Sequence, residues 1–206
     1  DYSRSLSCYE QLERISDKRD VINTALKGQL RSAYQAGDAQ RSIAVARKLA
    51  SAAGIPEELA REAFFISGKA QYSLNNYDEA LKDFQRISNE ITSAEGAEAK
   101  YRVAEIQFRK GSVTEAEKTI DEFLDKNTPH QYWMARIFIL VADISIKKGD
   151  LITARATLQS LKENYPVDSD GILDEVRDKL ESVMPKQEPA KDTLEMKINT
   201  SAGTGK

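Results

Sequence analysis

Apolar residues recur at spacings of three and four along most of the chain, and Gly, Asn and Pro interrupt them at regular intervals. Ala63, Phe64, Ser67, Gly68 and Tyr72 run up to Asn75, and Tyr77, Ala80, Leu81, Phe84 and Ile87 follow it. Such spacing puts one apolar stripe on each side of a turn, which predicts a pair of amphipathic helices. The figure returns in the stretches 34–43, 72–81, 108–117 and 146–155, each passing from a large apolar residue through a turn signal into a new periodic segment. The turn residues Gly37, Asn75, Gly111 and Gly149 stand 38, 36 and 38 residues apart (75−37, 111−75, 149−111). Gly and Asn tolerate the left-handed backbone that ends a helix, so each is expected to close one. Pro56, Pro129, Pro166, Pro185 and Pro189 all lie outside the periodic stretches, as helix interiors require. No strand pair is evident, and the expected fold is an all-α chain of helical hairpins.

The second unit carries Phe64, Gly68 and Tyr72 on its first helix and Ala80 and Phe84 on its second. The third carries Val103, Ala104, Phe108, Ala116, Ile120 and a closing Pro129, and the fourth Phe138, Ala142, Ile146, Ala154, Leu158 and Pro166. The first, with Leu26, Tyr34, Ile43, Ala46 and Leu49, diverges most. This arrangement resembles the tetratricopeptide repeat (TPR), whose unit is about 34 residues. The units here are two to four residues longer, and Gln71 and Gln107 stand where that family places an aromatic. The resemblance implies a right-handed alpha-alpha superhelix, a solenoid whose small residues Gly68, Ala104 and Ala142 sit where helices approach closely. Its expected divisions are a half repeat at 1–17, repeats at about 20–55, 57–93, 94–129 and 130–166, and a capping helix at 168–184. Asp168 or Asp170 would cap that last helix, which carries Ile172, Leu173, Val176, Leu180 and Val183 on one face.

The two ends bring further expectations. Asp1, Tyr2, Ser5, Leu6, Tyr9 and Leu12 align with Asn76, Tyr77, Ala80, Leu81, Phe84 and Ile87, so residues 2–16 read as the second helix of a hairpin. A solenoid is expected to open on a polar cap, so this reading makes the chain the C-terminal piece of a longer repeat protein. Leu6, Tyr9, Leu12 and Ile15 would then be poorly covered, offering a surface for self-association. Residues 185–206 read as a tail, in which Leu194, Met196 and Ile198 alternate with Glu195 and Lys197. That period suits an extended segment docked on a repeat surface.

Composition narrows the chemistry. The 206 residues are 40% hydrophobic and 31% charged, which suits a folded globular chain. The net charge of −3 gives no basis for a nucleic-acid or membrane partner. With a single Cys8 and a single His130, the chain holds neither an intrachain disulfide nor a Cys/His zinc cage. The longest apolar run, residues 137–142, is far too short to span a bilayer, and no leader is visible at Asp1. Gly203-Thr-Gly-Lys206 lacks the strand, hydroxyl residue and helix of a phosphate loop, and His130 stands at a helix start with no partner ligand. Trp133, Phe138 and Leu140 are expected to pack against the preceding hairpin. The chain is therefore read as no enzyme, with no cofactor and no metal.

The TPR resemblance implies that the first helix of each hairpin lines a groove for peptides or partner helices. The slots expected to face it hold Lys27, Arg31, Tyr34, Glu62, Phe65, Lys69, Tyr72, Glu98, Tyr101, Arg102, Glu105, Phe108, Arg109, Arg136, Ile139, Asp143 and Lys147. Seven are basic, four acidic and five aromatic, a mixture that suits peptide capture. From these, Lys27, Arg31, Phe65, Lys69, Tyr72, Tyr101, Arg102, Phe108, Arg109 and Arg136 are the candidate partner-binding residues. Lys27 and Arg102 match two slots of the carboxylate clamp known in one TPR subclass. Ile66 and Glu98 occupy others and argue against such a clamp. The expected function is a scaffold or adaptor that binds a protein or peptide, with a regulatory or docking part of a larger enzyme as the alternative. Similarly long units also resemble bacterial envelope-assembly adaptors, and the sequence is compatible with periplasm or cytoplasm.

Overall fold

A computed structural model describes residues 1–183 of the chain. Among the described residues ten α-helices follow one another: α1 (Tyr2–Ile15), α2 (Arg19–Gln35), α3 (Ala39–Ala50), α4 (Glu57–Ser73), α5 (Tyr77–Ile87), α6 (Ala94–Arg109), α7 (Val113–Asp125), α8 (Gln131–Lys148), α9 (Leu151–Asn164) and α10 (Ile172–Val183). No strand interrupts them within this range. The expected turn residues are where the chain reverses. Gly37, Asn75, Gly111 and Gly149 have φ of 74°, 60°, 84° and 80°, and Asn75 is one of two non-glycine residues with positive φ in the described chain.

Each turn closes in the same way. The amide after the left-handed residue donates back to a carbonyl five residues earlier: Asp38 to Ala33 at 3.0 Å, Asn76 to Gln71, Ser112 to Gln107 and Asp150 to Ser145, each at 2.9 Å. This second hydrogen bond satisfies a carbonyl that the helix end leaves orphaned. The next helix then starts at once, and the side chains of Asp38 and Asp150 accept from the amides of Arg41 (2.9 Å) and Thr153 (3.0 Å). Two residues of turn chemistry thus make a hairpin with no loop to order.

Consecutive helices pack antiparallel, and α2, α4, α6, α8 and α10 also touch their next-but-one neighbours, whereas α3, α5, α7 and α9 do not touch one another. Close spacing on one side and splay on the other curve the array, with the even-numbered helices α2 to α10 on the inside. The core follows this line instead of forming one centre. Leu26, Leu30, Leu49 and Ile66 fill the first junction, Phe84, Val103 and Ile106 the second, Phe123, Ile137 and Leu140 the third, and Leu158, Ile172 and Val176 the last. The chain is an all-α solenoid, and its stability rests on nearest-neighbour contacts. Gly68 sits against the ring of Phe84, and Ala104 and Ala142 are fully buried where helices meet.

Some expectations need correction. The last helix starts at Ile172, four residues later than 168, because Gly171 has a φ of 84° and breaks helical geometry. Asp170 still serves its start, accepting from the amide of Ile172 at 3.1 Å. Leu6 is covered by α2 and only 4% exposed, so among the large apolar residues of α1 only Tyr2 (51%) and Ile15 (79%) remain well exposed. The expected docking of Leu194, Met196 and Ile198 lies outside the described residues. Among the described residues no helix is long and apolar enough to cross a membrane.

Candidate protein-binding face

The inner helices carry charged residues at fixed distances from each turn. Six residues before Gly37, Asn75, Gly111 and Gly149 stand Arg31, Lys69, Glu105 and Asp143. Each reaches the neighbouring inner helix or a charge on its own. Arg31 on α2 holds both carboxylate oxygens of Glu62 on α4, with its Nη2 at 2.9 Å. Lys69 on α4 pairs with Glu98 on α6 at 3.2 Å. On α6, Glu105 takes Arg102 at 2.9 Å and Arg109 at 3.0 Å. Beyond it Arg136 on α8 pairs with Glu175 on α10, and Lys179 on α10 pairs with Asp143 on α8. These ion pairs join α2 to α4, α4 to α6 and α8 to α10, and a hydrogen bond from Arg136 to Tyr101 joins α6 to α8.

Aromatic rings lie under the cations. The Lys69 ammonium sits 5.0 Å from the Phe65 ring centre and 5.9 Å from that of Tyr34. Arg102 stands 4.8 Å from Tyr72 and 5.4 Å from Tyr101, Arg109 lies 5.8 Å from Tyr72, and Lys147 is 5.0 Å from Phe108. The ring quadrupole attracts each cation and limits where it can go. Burial, with the Glu105 carboxylate nearby, pushes the Tyr72 hydroxyl up to about 12, so it stays a neutral donor at any physiological pH. Burial opposes the charge on Arg136, yet Tyr101 and Glu175 outweigh it and hold that guanidinium above its ordinary pKa.

Nine of the ten candidate residues are at least partly exposed on this face. Lys27, Arg31 and Phe65 line a 940 Å³ cleft between α2 and α4, together with Tyr34, Glu58 and Glu62. Phe108, Arg109 and Arg136 line a smaller hollow of 280 Å³ between α6, α8 and α10. Lys69, Tyr72 and Arg102 bridge the two along α4 and α6. Tyr101 is the exception. It is 3% exposed, its ring packed 5.5 Å from Trp133 and its hydroxyl accepting from Arg136 at 2.8 Å, so it supports the face from beneath. Ile139, also expected to face the groove, is buried in the core of α8–α10.

Glu98 and Glu105, also expected to face the groove, are buried, and they anchor the cations above them; the pairing of a charge before one turn with its opposite on the next hairpin is visible in the sequence once the turns are aligned. A second surface is an apolar cleft of 710 Å³ between α7, α8 and α9, lined by Leu124, Met134, Phe138, Val141, Leu161 and Tyr165. It opens because α7 touches α8 far less than α3 touches α4, which no local signal announces. His130 begins α8, with its Nε2 3.0 Å from the carbonyl of Thr92, and Cys8 is exposed on α1. Among the described residues no three His, Cys, Asp or Glu side chains converge as metal ligands would.

Residues 56–199 match the family model described as the coiled-coil receptor-binding R-domain of colicin E2. The family that matches is thus not the TPR. No curated protein matches the chain. Among solved structures, BtubC (BKLC) from P. vanneervenii is similar with a TM-score of 0.66 and 14% identity, over 88% of this chain and 80% of that one. At that identity the likeness is one of fold.

Proposed function

The chain belongs to the family of the coiled-coil receptor-binding R-domain of colicin E2, and we propose that it is a protein-interaction module, holding a peptide or a segment of a partner protein along the inner helices and catalysing nothing itself. The observation that carries this reading is the row of cation-capped rings, Phe65 under Lys69, Tyr72 under Arg102 and Arg109, and Phe108 under Lys147, offered by the inner helices α4, α6 and α8. Rings bury area at low entropic cost, and Arg and Tyr supply much of the binding energy in protein interfaces. Ion pairs to Glu98 and Glu105 already order these side chains, so a partner need not order them again. The colicin domain is named for receptor binding, and that supports a protein partner over a nucleic acid, a membrane or a cofactor. We read the hairpins as TPR-like, because Gly68, Ala104 and Ala142 hold the small-residue slot and Ala80, Ala116 and Ala154 the second-helix alanine of that repeat. A displayed library of random peptides tests the function. Selected binders should lose about tenfold or more in affinity on Phe65→Ala or Tyr72→Ala and nothing on Gln85→Ala, an exposed position on α5. A library that yields no binder, or binders indifferent to Phe65 and Tyr72, would overturn it.

A further inference from the structure

The layering of charge on the inner face points to the kind of segment it takes. In three successive ion pairs the cation is the outer partner: Arg31 is 57% exposed over Glu62 at 24%, Lys69 31% over Glu98 at 10%, and Arg109 50% over Glu105 at 10%. The carboxylates lie beneath, already satisfied. The cations keep free donors, since Arg31 uses Nε and Nη2 and leaves Nη1, and Arg109 gives one Nη to Glu105 and leaves Nε and the other Nη. On α8 the exposed Lys147 lies over Phe108 and has no ion-pair partner among the described residues. A segment approaching the face meets positive charge on α2, α4, α6 and α8 in turn, although the chain as a whole is at −3.

We propose that the partner segment is an extended acidic one, with carboxylates three residues apart, a statement that rests on the interaction reading above. The spacing follows from two dimensions. Packed helices lie about 8–10 Å apart, and a segment in the extended polyproline II form advances about 3.1 Å per residue with about three residues per turn, so every third side chain falls on the same edge and three residues carry a carboxylate from one inner helix to the next. Arg31 and Lys69 lie six residues before their turns and Arg109 and Lys147 two residues before theirs. The line of cations therefore shifts by one helical turn midway and crosses the helices obliquely. A basic segment would have to push these cations off the rings before reaching Glu98 or Glu105.

The test uses a labelled peptide of about twelve residues with Glu at every third position on a neutral, proline-rich background that favours the polyproline II form, read by fluorescence anisotropy on the purified chain. Its controls carry Lys at the same positions, or the same residues in permuted order. The spaced acidic peptide should bind about tenfold tighter than either control at about 0.1 M ionic strength, and lose that advantage at about 1 M, where the screening length falls to roughly 3 Å. Lys147→Glu and Arg109→Gln, both at exposed positions that leave the core untouched, should each weaken it about threefold. Equal binding of the Lys peptide, still abolished by Phe65→Ala, overturns the acidic partner and leaves the interaction face standing. If no peptide of any charge binds, both fall together.

Discussion

Replacing Gly68 by Ala sets two effects against each other at one known place. Gly68 lies inside α4, where Ala should gain about 0.8–1 kcal/mol from helix propensity alone. A Cβ there would stand 2.8 Å from Cε1 of Phe84, 3.0 Å from Cδ1 and 3.1 Å from Cζ. Ordinary carbon contacts are about 3.5–4.0 Å, so the ring must recede by roughly half an ångström or more. It has nowhere to go, because Phe84 is fully buried among Ala80, Ile87, Ala99, Val103 and Ile106. Overpacking of this kind costs about 1–3 kcal/mol. The balance is a net loss of roughly 1 kcal/mol, or about 2–4 °C in Tm for a chain of this size. Urea unfolding followed by circular dichroism measures it. Phe84→Leu in the same chain should remove the clash, so the double variant should be more stable than the sum of the single effects by about 1 kcal/mol. A Gly68→Ala chain stabilised by the full propensity gain would mean that α4 and α5 are not in this contact.

Three further substitutions follow from the same packing. Ala104→Leu, at a fully buried site facing α7 and α8, should cost about 1–3 kcal/mol in urea unfolding, and no loss would refute the hairpin register. Tyr101→Phe removes the acceptor of the 2.8 Å hydrogen bond from Arg136 and should cost about 0.5–1.5 kcal/mol by thermal melting. Burial holds the Asp83 carboxyl above its ordinary range, despite the 2.6 Å hydrogen bond from Ser67. An acid whose pKa is raised by folding binds its proton more tightly folded than unfolded, so its ionisation costs stability in full above the folded pKa, and the cost fades as pH falls and vanishes below the unfolded pKa. Asp83→Asn should therefore raise Tm at pH 7 and leave it nearly unchanged below the unfolded carboxyl pKa of about 3.9; an equal gain at both pH values would refute the assignment.

The hairpins were legible in the sequence because their determinants are local. Gly37, Asn75, Gly111 and Gly149 each end a helix by their own backbone freedom, and the flanking apolar spacing states which side packs. The start of α10 falls later than the sequence suggests because Asp168 and Asp170 both offer a capping carboxylate, whereas the backbone turns left-handed at Gly171 and the helix begins only after it. The binding face was legible only in outline. Spacing placed Phe65, Lys69 and Tyr72 on the inner helices, but burial depends on how far the next hairpin tilts. That tilt buries Tyr101 and Ile139 and covers Glu98 and Glu105. It also opens the cleft between α7, α8 and α9, lined by Phe138, which the sequence assigns to packing. Depth within a solenoid is a property of the junction, and no single repeat contains it.

Two surfaces could receive a partner, the cation-capped inner face and the apolar cleft between α7, α8 and α9, and amide chemical shifts separate them. Titrating a library-selected peptide into the isotope-labelled chain should move the resonances of Arg31, Phe65, Lys69, Tyr72, Arg102, Phe108 and Arg109, residues on the inner helices α2, α4 and α6. Shifts gathered instead at Leu124, Phe138, Val141 and Leu161, around the apolar cleft, would contradict the account and move the binding site to the other side of the solenoid.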